Sequence, residues 1–155
     1  MSSVQAENAK LLIPFLARIY GPAAPFGYAL VRVCTGAILV PHGVQKLFYG
    51  GAASSVAGKA FTAWGLPAPL AWTYGIGVLE LAGGVMLVLG LLTRPVALLF
   101  AIELLVFIFG VHIDKGWLWN RGGVQYPLFL LGLTLAFLMR GGGHYSLDRL
   151  IGKEI

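Results

Sequence analysis

The stretch "PLAWTYGIGVLELAGGVMLVLGLLTRPVALLFAIELLVFIFGVHI", residues 69–113, decides the fold. It holds two apolar runs, 69–92 and 95–113, joined by Thr93, Arg94 and Pro95. Each run is about the 20 residues a helix needs to cross a hydrocarbon core. Proline at 95 suits the first turn of a helix, where its missing N–H costs nothing. Within the stretch only Glu80, Arg94 and Glu103 carry formal charge. The reading is a membrane-spanning helical hairpin with one carboxyl group inside each arm.

Outward from the hairpin the pattern repeats. Residues 26–48 form a first span and 123–139 a fourth, which Arg140 and the glycines at 141–143 close. The expected fold is all-α, an integral membrane four-helix bundle. Residues 9–20 are apolar but interrupted by Lys10 and Arg18. They are too short to span and are expected to form a short N-terminal interfacial helix, broken by Gly21, Pro22 and Pro25. A second interfacial helix is expected within 54–64. The chain thus divides into a tail and interfacial helix (1–25), a four-helix transmembrane domain (26–140) and a C-terminal tail (141–155).

Composition agrees. Of 155 residues, 58% are hydrophobic and 11% charged, against about 25% charged in a soluble domain; mean hydropathy is +0.83. The 22 glycines suit close helix packing in lipid. The net charge of +5 comes from scattered residues, with no cluster of the kind nucleic-acid binding needs. They read as flanks that meet the headgroups of the lipid bilayer. One cysteine, Cys34, excludes an internal disulfide or CxxC pair, and its expected role is packing. No cleavable signal peptide is evident, because the first strongly apolar stretch lies far in and contains Arg32, His42 and Lys46. The Lys/Arg distribution favours both termini in the cytoplasm. Trp64, Trp72, Trp117 and Trp119 form an aromatic belt on the opposite side.

The informative residues are the charges inside the spans. An ionisable side chain at a helix centre costs about 2.5–3.5 kcal/mol on insertion scales, so Arg32, Glu80 and Glu103 are expected to face inward and satisfy one another. One Arg with two carboxyls is unbalanced: either one carboxyl holds a proton, or another cation joins. His42 is the natural candidate, with Lys46 further out. Arg32, Gly36, Leu39, Gly43 and Lys46 follow one helical stripe, as do Gly77, Glu80 and Gly84. The expected site is therefore a buried ionic network or ligand pocket of Arg32, His42, Lys46, Glu80 and Glu103. Gly36, Gly43, Gly77 and Gly84 let the backbones approach. Pro41 is expected to kink the first span beside His42. The alternative is a salt-bridged core that only sets helix register.

His112, Gln125 and Tyr126 are secondary candidates. Two histidines on facing helices, His42 and His112, have the chemistry to ligate haem, but a hydrogen bond from His42 to Glu103 or a carbonyl is the expectation. His144 is expected to be solvated. No metal-spaced cluster, phosphate loop or nucleophile elbow is present, so no metal and no catalytic residue is assigned.

The residues just described resemble the DoxX family of small membrane proteins. The match begins at Arg32 and runs through "PHGVQKLF" (41–48) and "LELAGGVMLVLGLLTRP" (79–95). It resumes at Asn120, Gly122, Gly123 and Tyr126 and ends in "GGGHYSLD" (141–148). The resemblance implies four helices and association with oxidoreductase systems, since some relatives resemble the membrane subunit of thiosulfate:quinone oxidoreductase. The family often carries a glutamate just before Tyr126. Here that residue is Gln125, which removes a charge near the outer end of the fourth span.

Two functional readings follow. One is a subunit or partner of a membrane redox system, with a quinone or lipid-like molecule in the polar pocket. The other is a non-catalytic lipid-binding or assembly protein. A small transporter is a third, thinner reading. A multi-pass protein of a bacterial cytoplasmic (inner) membrane is the expected setting, with a redox enzyme or a second copy of the chain as the protein partner. The pocket is expected between the first three spans, opening near Lys46 and Trp72, and shaped for an amphiphile with a polar or anionic head.

Overall fold

The computed structural model describes residues 12–152. Residues 1–11 and 153–155, including the beginning of the expected interfacial helix, lie outside the described residues. The chain folds as helices joined by short connections, with no strand among the described residues. A 3-10 turn (Pro14–Leu16) leads into α1 (Ala17–Phe48). A short helix α2 (Val56–Ala63) follows, then α3 (Pro69–Leu89), α4 (Thr93–Lys115), α5 (Gln125–Arg140) and α6 (Leu147–Ile151). Three of these, α1, α3 and α4, are long and apolar enough to cross a membrane; α5 is apolar but has 16 residues. The protein is an all-α membrane bundle.

Two departures from the sequence reading concern α1. Its helix continues through Pro22, Pro25 and Pro41 for 32 residues, so Ala17 to Tyr20 belong to the first span's helix and no break separates them. In a membrane, proline is tolerated inside a helix because local adjustments and side chains re-satisfy the freed carbonyls. Cys34 is exposed on α1, facing away from the bundle. The stripe Arg32, Gly36, Leu39, Gly43 and Lys46 points inward and is buried.

That stripe packs α1 on α3 with almost no side chain between. A Cβ on Gly43 would sit 2.4 Å from the Leu81 nitrogen and 2.6 Å from the Gly77 oxygen. One on Gly36 would sit 2.4 Å from the Gly84 oxygen. Gly77 in turn faces the Cβ of Lys46, and Gly84 faces Val40. The core proper lies between α3, α4 and α5, around Leu87, Phe100 and Phe137.

The chain crosses back and forth, so α1 begins and α5 ends at one end of the bundle, the tail end. There the Tyr28 hydroxyl donates to the Gly141 carbonyl at 2.6 Å, and Arg140 stacks over the Tyr28 ring. The segment after Gly141 folds back onto this end. Asp148 is buried and accepts from Leu92 N (2.7 Å), Thr93 N (2.9 Å) and Thr93 Oγ1 (2.8 Å). It thereby satisfies orphan N–H groups at the start of α4, as a capping residue does. Ser146 caps α6 by accepting from Arg149 N.

Candidate functional site

At the opposite end, the loop end, the bundle is hollow. A cavity of about 420 Å³ lies among α1, α3, α4 and α5, with the start of α2 as its cover. Its polar lining comes from His42, Gln45 and Lys46 on α1, Ser54 and Ser55 before α2, Glu80 on α3, Glu103 and His112 on α4, and Tyr126 on α5. Leu39, Phe100, Phe107 and Leu130 make up much of the apolar wall.

Lys46 and Glu80 form the centre. Lys46 Nζ lies 2.5 Å from Glu80 Oε2, with both side chains about nine-tenths buried. Lys46 Nζ also donates to the His42 carbonyl one turn back, at 3.4 Å. Gly77 is what lets this pair form: it brings α3 against the Lys46 stem, so the ammonium turns to α3's own carboxylate. Glu80 sits in a single π-helical turn (Leu79–Gly83), and α4 has another at Ile108–His112. Such turns interrupt the regular hydrogen-bond ladder and recur at functional sites. Here both fall at the level of the cavity and carry side chains that line it.

Glu103 enters the cavity from α4. It is 9% exposed, and its Oε2 is buried with no hydrogen-bond partner among the described residues. His112 Nδ1 lies 2.5 Å from the Gly122 carbonyl. A carbonyl only accepts, so Nδ1 is the donor. Tyr126 is positioned by the preceding loop, which closes on itself through Val124 N to Gly116 O (3.0 Å) and Gln125 N to Trp117 O (3.1 Å). Gly123 is packed against the Gly116 carbonyl with no room for a Cβ. Gln125 Oε1 accepts from Trp119 N at 3.4 Å.

Arg32 stands apart, which corrects the expected network. Its guanidinium, 1% exposed, donates to the Leu87 carbonyl at 2.8 Å and the Val88 carbonyl at 3.5 Å. It also donates to the Tyr145 carbonyl. Arg32 and Lys46 are 14 residues apart, about 21 Å along a helix. With α1 antiparallel to α3, Lys46 meets Glu80 while Arg32 meets the last turn of α3. The carbonyls that end a helix carry partial negative charge and lack helical partners, and a guanidinium with five donors serves them. Of the five expected residues, the structure therefore brings His42, Lys46, Glu80 and Glu103 together and leaves Arg32 at the other end.

The expected opening near Trp72 is also corrected. Trp72 is exposed and does not line the cavity, because the glycine contacts close the α1–α3 seam. A second cavity of about 590 Å³, lined by His42, Trp119, Gln125, Tyr126 and Phe129, shares His42 and Tyr126 with the first. The two cavities therefore adjoin at His42 on α1 and Tyr126 on α5. Gln45, Ser54 and Ser55 were not singled out from sequence, since polar residues at a span boundary look like ordinary loop chemistry.

Comparison with known proteins agrees with the geometry. The DoxX family model matches residues 27–113. Among similar curated proteins is "Putative oxidoreductase CatD" of Bacillus subtilis, 32% identical over 127 residues, covering 82% of this chain and 88% of that protein. An uncharacterized protein of Haemophilus influenzae is 31% identical over 134 residues, 84% of this chain and 94% of its own. An uncharacterized membrane protein of Mycobacterium tuberculosis, Rv3486, is 26% identical over 151 residues, 91% of each chain. No solved structure is significantly similar. With its matched hairpin, glycine-packed first helix and membrane-spanning bundle, the chain belongs to the DoxX family.

Proposed function

We propose that this protein is a subunit or partner of a membrane redox system, in a bacterial cytoplasmic membrane, and that its cavity holds a quinone or lipid-like molecule. The observation that carries the reading is the cavity itself. Burying a Lys–Glu pair and a further carboxyl at membrane depth is expensive, and a closed bundle of apolar side chains would avoid that cost. The name of the Bacillus subtilis relative, "Putative oxidoreductase CatD", supports the redox half. Quinones, when bound, supply electron and proton chemistry. This chain's residues would orient the head: Glu103 and Tyr126 as hydrogen-bonding groups, the Lys46–Glu80 pair as a fixed dipole, and α2 as a cover that excludes water.

The second reading, a non-catalytic lipid-binding or assembly protein, draws on the same cavity. Native mass spectrometry of protein purified from its own membrane separates the two. Retained quinone supports the redox reading, and retained phospholipid alone supports the second. If the wild type and a Lys46→Ala/Glu80→Gln variant keep the same molecules in the same amounts, the cavity is not a binding site.

A further inference from the structure

The balance of charge inside the cavity narrows what it takes. Among the described residues, Lys46 is the one lysine or arginine that lines it, and its ammonium lies 2.5 Å from Glu80. That positive charge is already matched. Glu103 adds a second carboxyl, nine-tenths buried, with Oε2 lacking any partner among the described residues. His112 has Nδ1 committed to the Gly122 carbonyl. An anionic head entering here would find two carboxyl groups and, among the described residues, no lysine or arginine beyond the paired Lys46. In a low-dielectric site a negative head against an ionised carboxyl is repelled, and against a protonated one it gains no compensating positive charge. An uncharged oxygen head meets no such penalty. A hydroxyl donates to the carboxylate, and a carbonyl accepts from the protonated acid.

The side opening matches a ligand that lives in the bilayer. The tail-end halves of α1 and α5 touch through the Tyr28 and Phe137 rings, 5.9 Å apart. At the loop end the second cavity separates the same two helices. Its walls include Trp119 and Phe129, 68% and 63% exposed, so the gap faces lipid through apolar rings.

We infer that this site takes an uncharged hydroxyl or carbonyl head on a long apolar tail, admitted from the bilayer between α1 and α5 and hydrogen-bonded by Glu103, and that it turns away anionic heads. This rests on the reading of the cavity as a ligand site and narrows the expectation of an amphiphile with a polar or anionic head.

The test uses the full chain in phosphatidylcholine nanodiscs and two photoreactive probes with the same decyl tail, one ending in a hydroquinone and one in a phosphate. Labelled residues are mapped by mass spectrometry. The hydroquinone probe is expected to label the wall around Tyr126 and Phe129. Glu103→Leu should lower that labelling about tenfold, the affinity change of one lost hydrogen bond of ~1.4 kcal/mol. The phosphate probe is expected at background in the wild type. In Glu80→Gln, which frees the Lys46 charge, its labelling should rise about tenfold, a gain that misfolding cannot mimic. Equal labelling by both probes in the wild type, or no gain in Glu80→Gln, overturns the head-group assignment while the cavity remains a ligand site. Hydroquinone labelling that Glu103→Leu leaves unchanged overturns the role of Glu103. Absence of both probes from the cavity, in the wild type and in Glu80→Gln, overturns the ligand-site reading and this inference with it.

Discussion

At Lys46 a long side chain that ordinarily snorkels to the headgroups stays inside, because Gly77 exposes Glu80 to it. Removing one partner leaves a buried charge. Lys46→Met is expected to cost about 3–5 kcal/mol, whereas Lys46→Met/Glu80→Leu should cost distinctly less; thermal unfolding in detergent, with a double-mutant cycle, reads both. A double variant as unstable as the single one would mean that the pair is not what the single change disrupts. Arg32 serves a different end. Arg32→Leu leaves the Leu87 and Tyr145 carbonyls without their charged donor, with an expected loss of about 2–4 kcal/mol, and Glu80→Leu in the same background should add to it independently. That Arg32 and Glu80 are buried was legible from their positions at small-residue spacing. Their separation was not, because pairing across helices depends on the register of α1 against α3.

On the scale of the elements, α1 and α3 are held by backbone contact. Gly43→Ala places a Cβ against the backbone of Leu81 and Gly77 and is expected to lower the unfolding temperature markedly, as overpacking costs about 1–3 kcal/mol. Gly21→Ala, on the same helix with nothing within 4 Å, should be neutral or slightly stabilising through helix propensity. Similar effects at the two sites would refute the close approach. The start of α4 depends on Asp148 in the tail, and Leu92 just before it adopts a left-handed conformation (φ 47°). Asp148→Ala should therefore cost about 2–3 kcal/mol and open the tail to limited proteolysis, while Leu150→Ala at an exposed position should not. The spans could be read from hydropathy, but the two π-helical turns had no signal in hydropathy or spacing.

The whole bundle has both described ends of the chain on one side, and the Lys/Arg bias predicts that this side faces the cytoplasm. In a Cys34→Ala background, a cysteine at Asn120 should react with an impermeant thiol reagent in intact cells, and one at Leu150 only after lysis. The reverse pattern would invert the orientation, and equal labelling would break the helix count. At this scale the glycine seam and the hollow loop end are complementary: α1 closes tightly on α3 and so leaves its gap toward α5.

Hydropathy, the hairpin at Thr93 to Pro95 and the glycine stripes were sufficient for the membrane, the class of fold and the buried faces of α1 and α3, because lipid imposes length and periodicity on any chain that crosses it. The choice among the buried charges was made in three dimensions. Antiparallel packing set Lys46 opposite Glu80 and Arg32 opposite the end of α3. The returning tail supplied the Tyr145 carbonyl and Asp148 from more than 50 residues away. These are relations between distant segments, fixed by helix register and close packing, and no local pattern of residues encodes them.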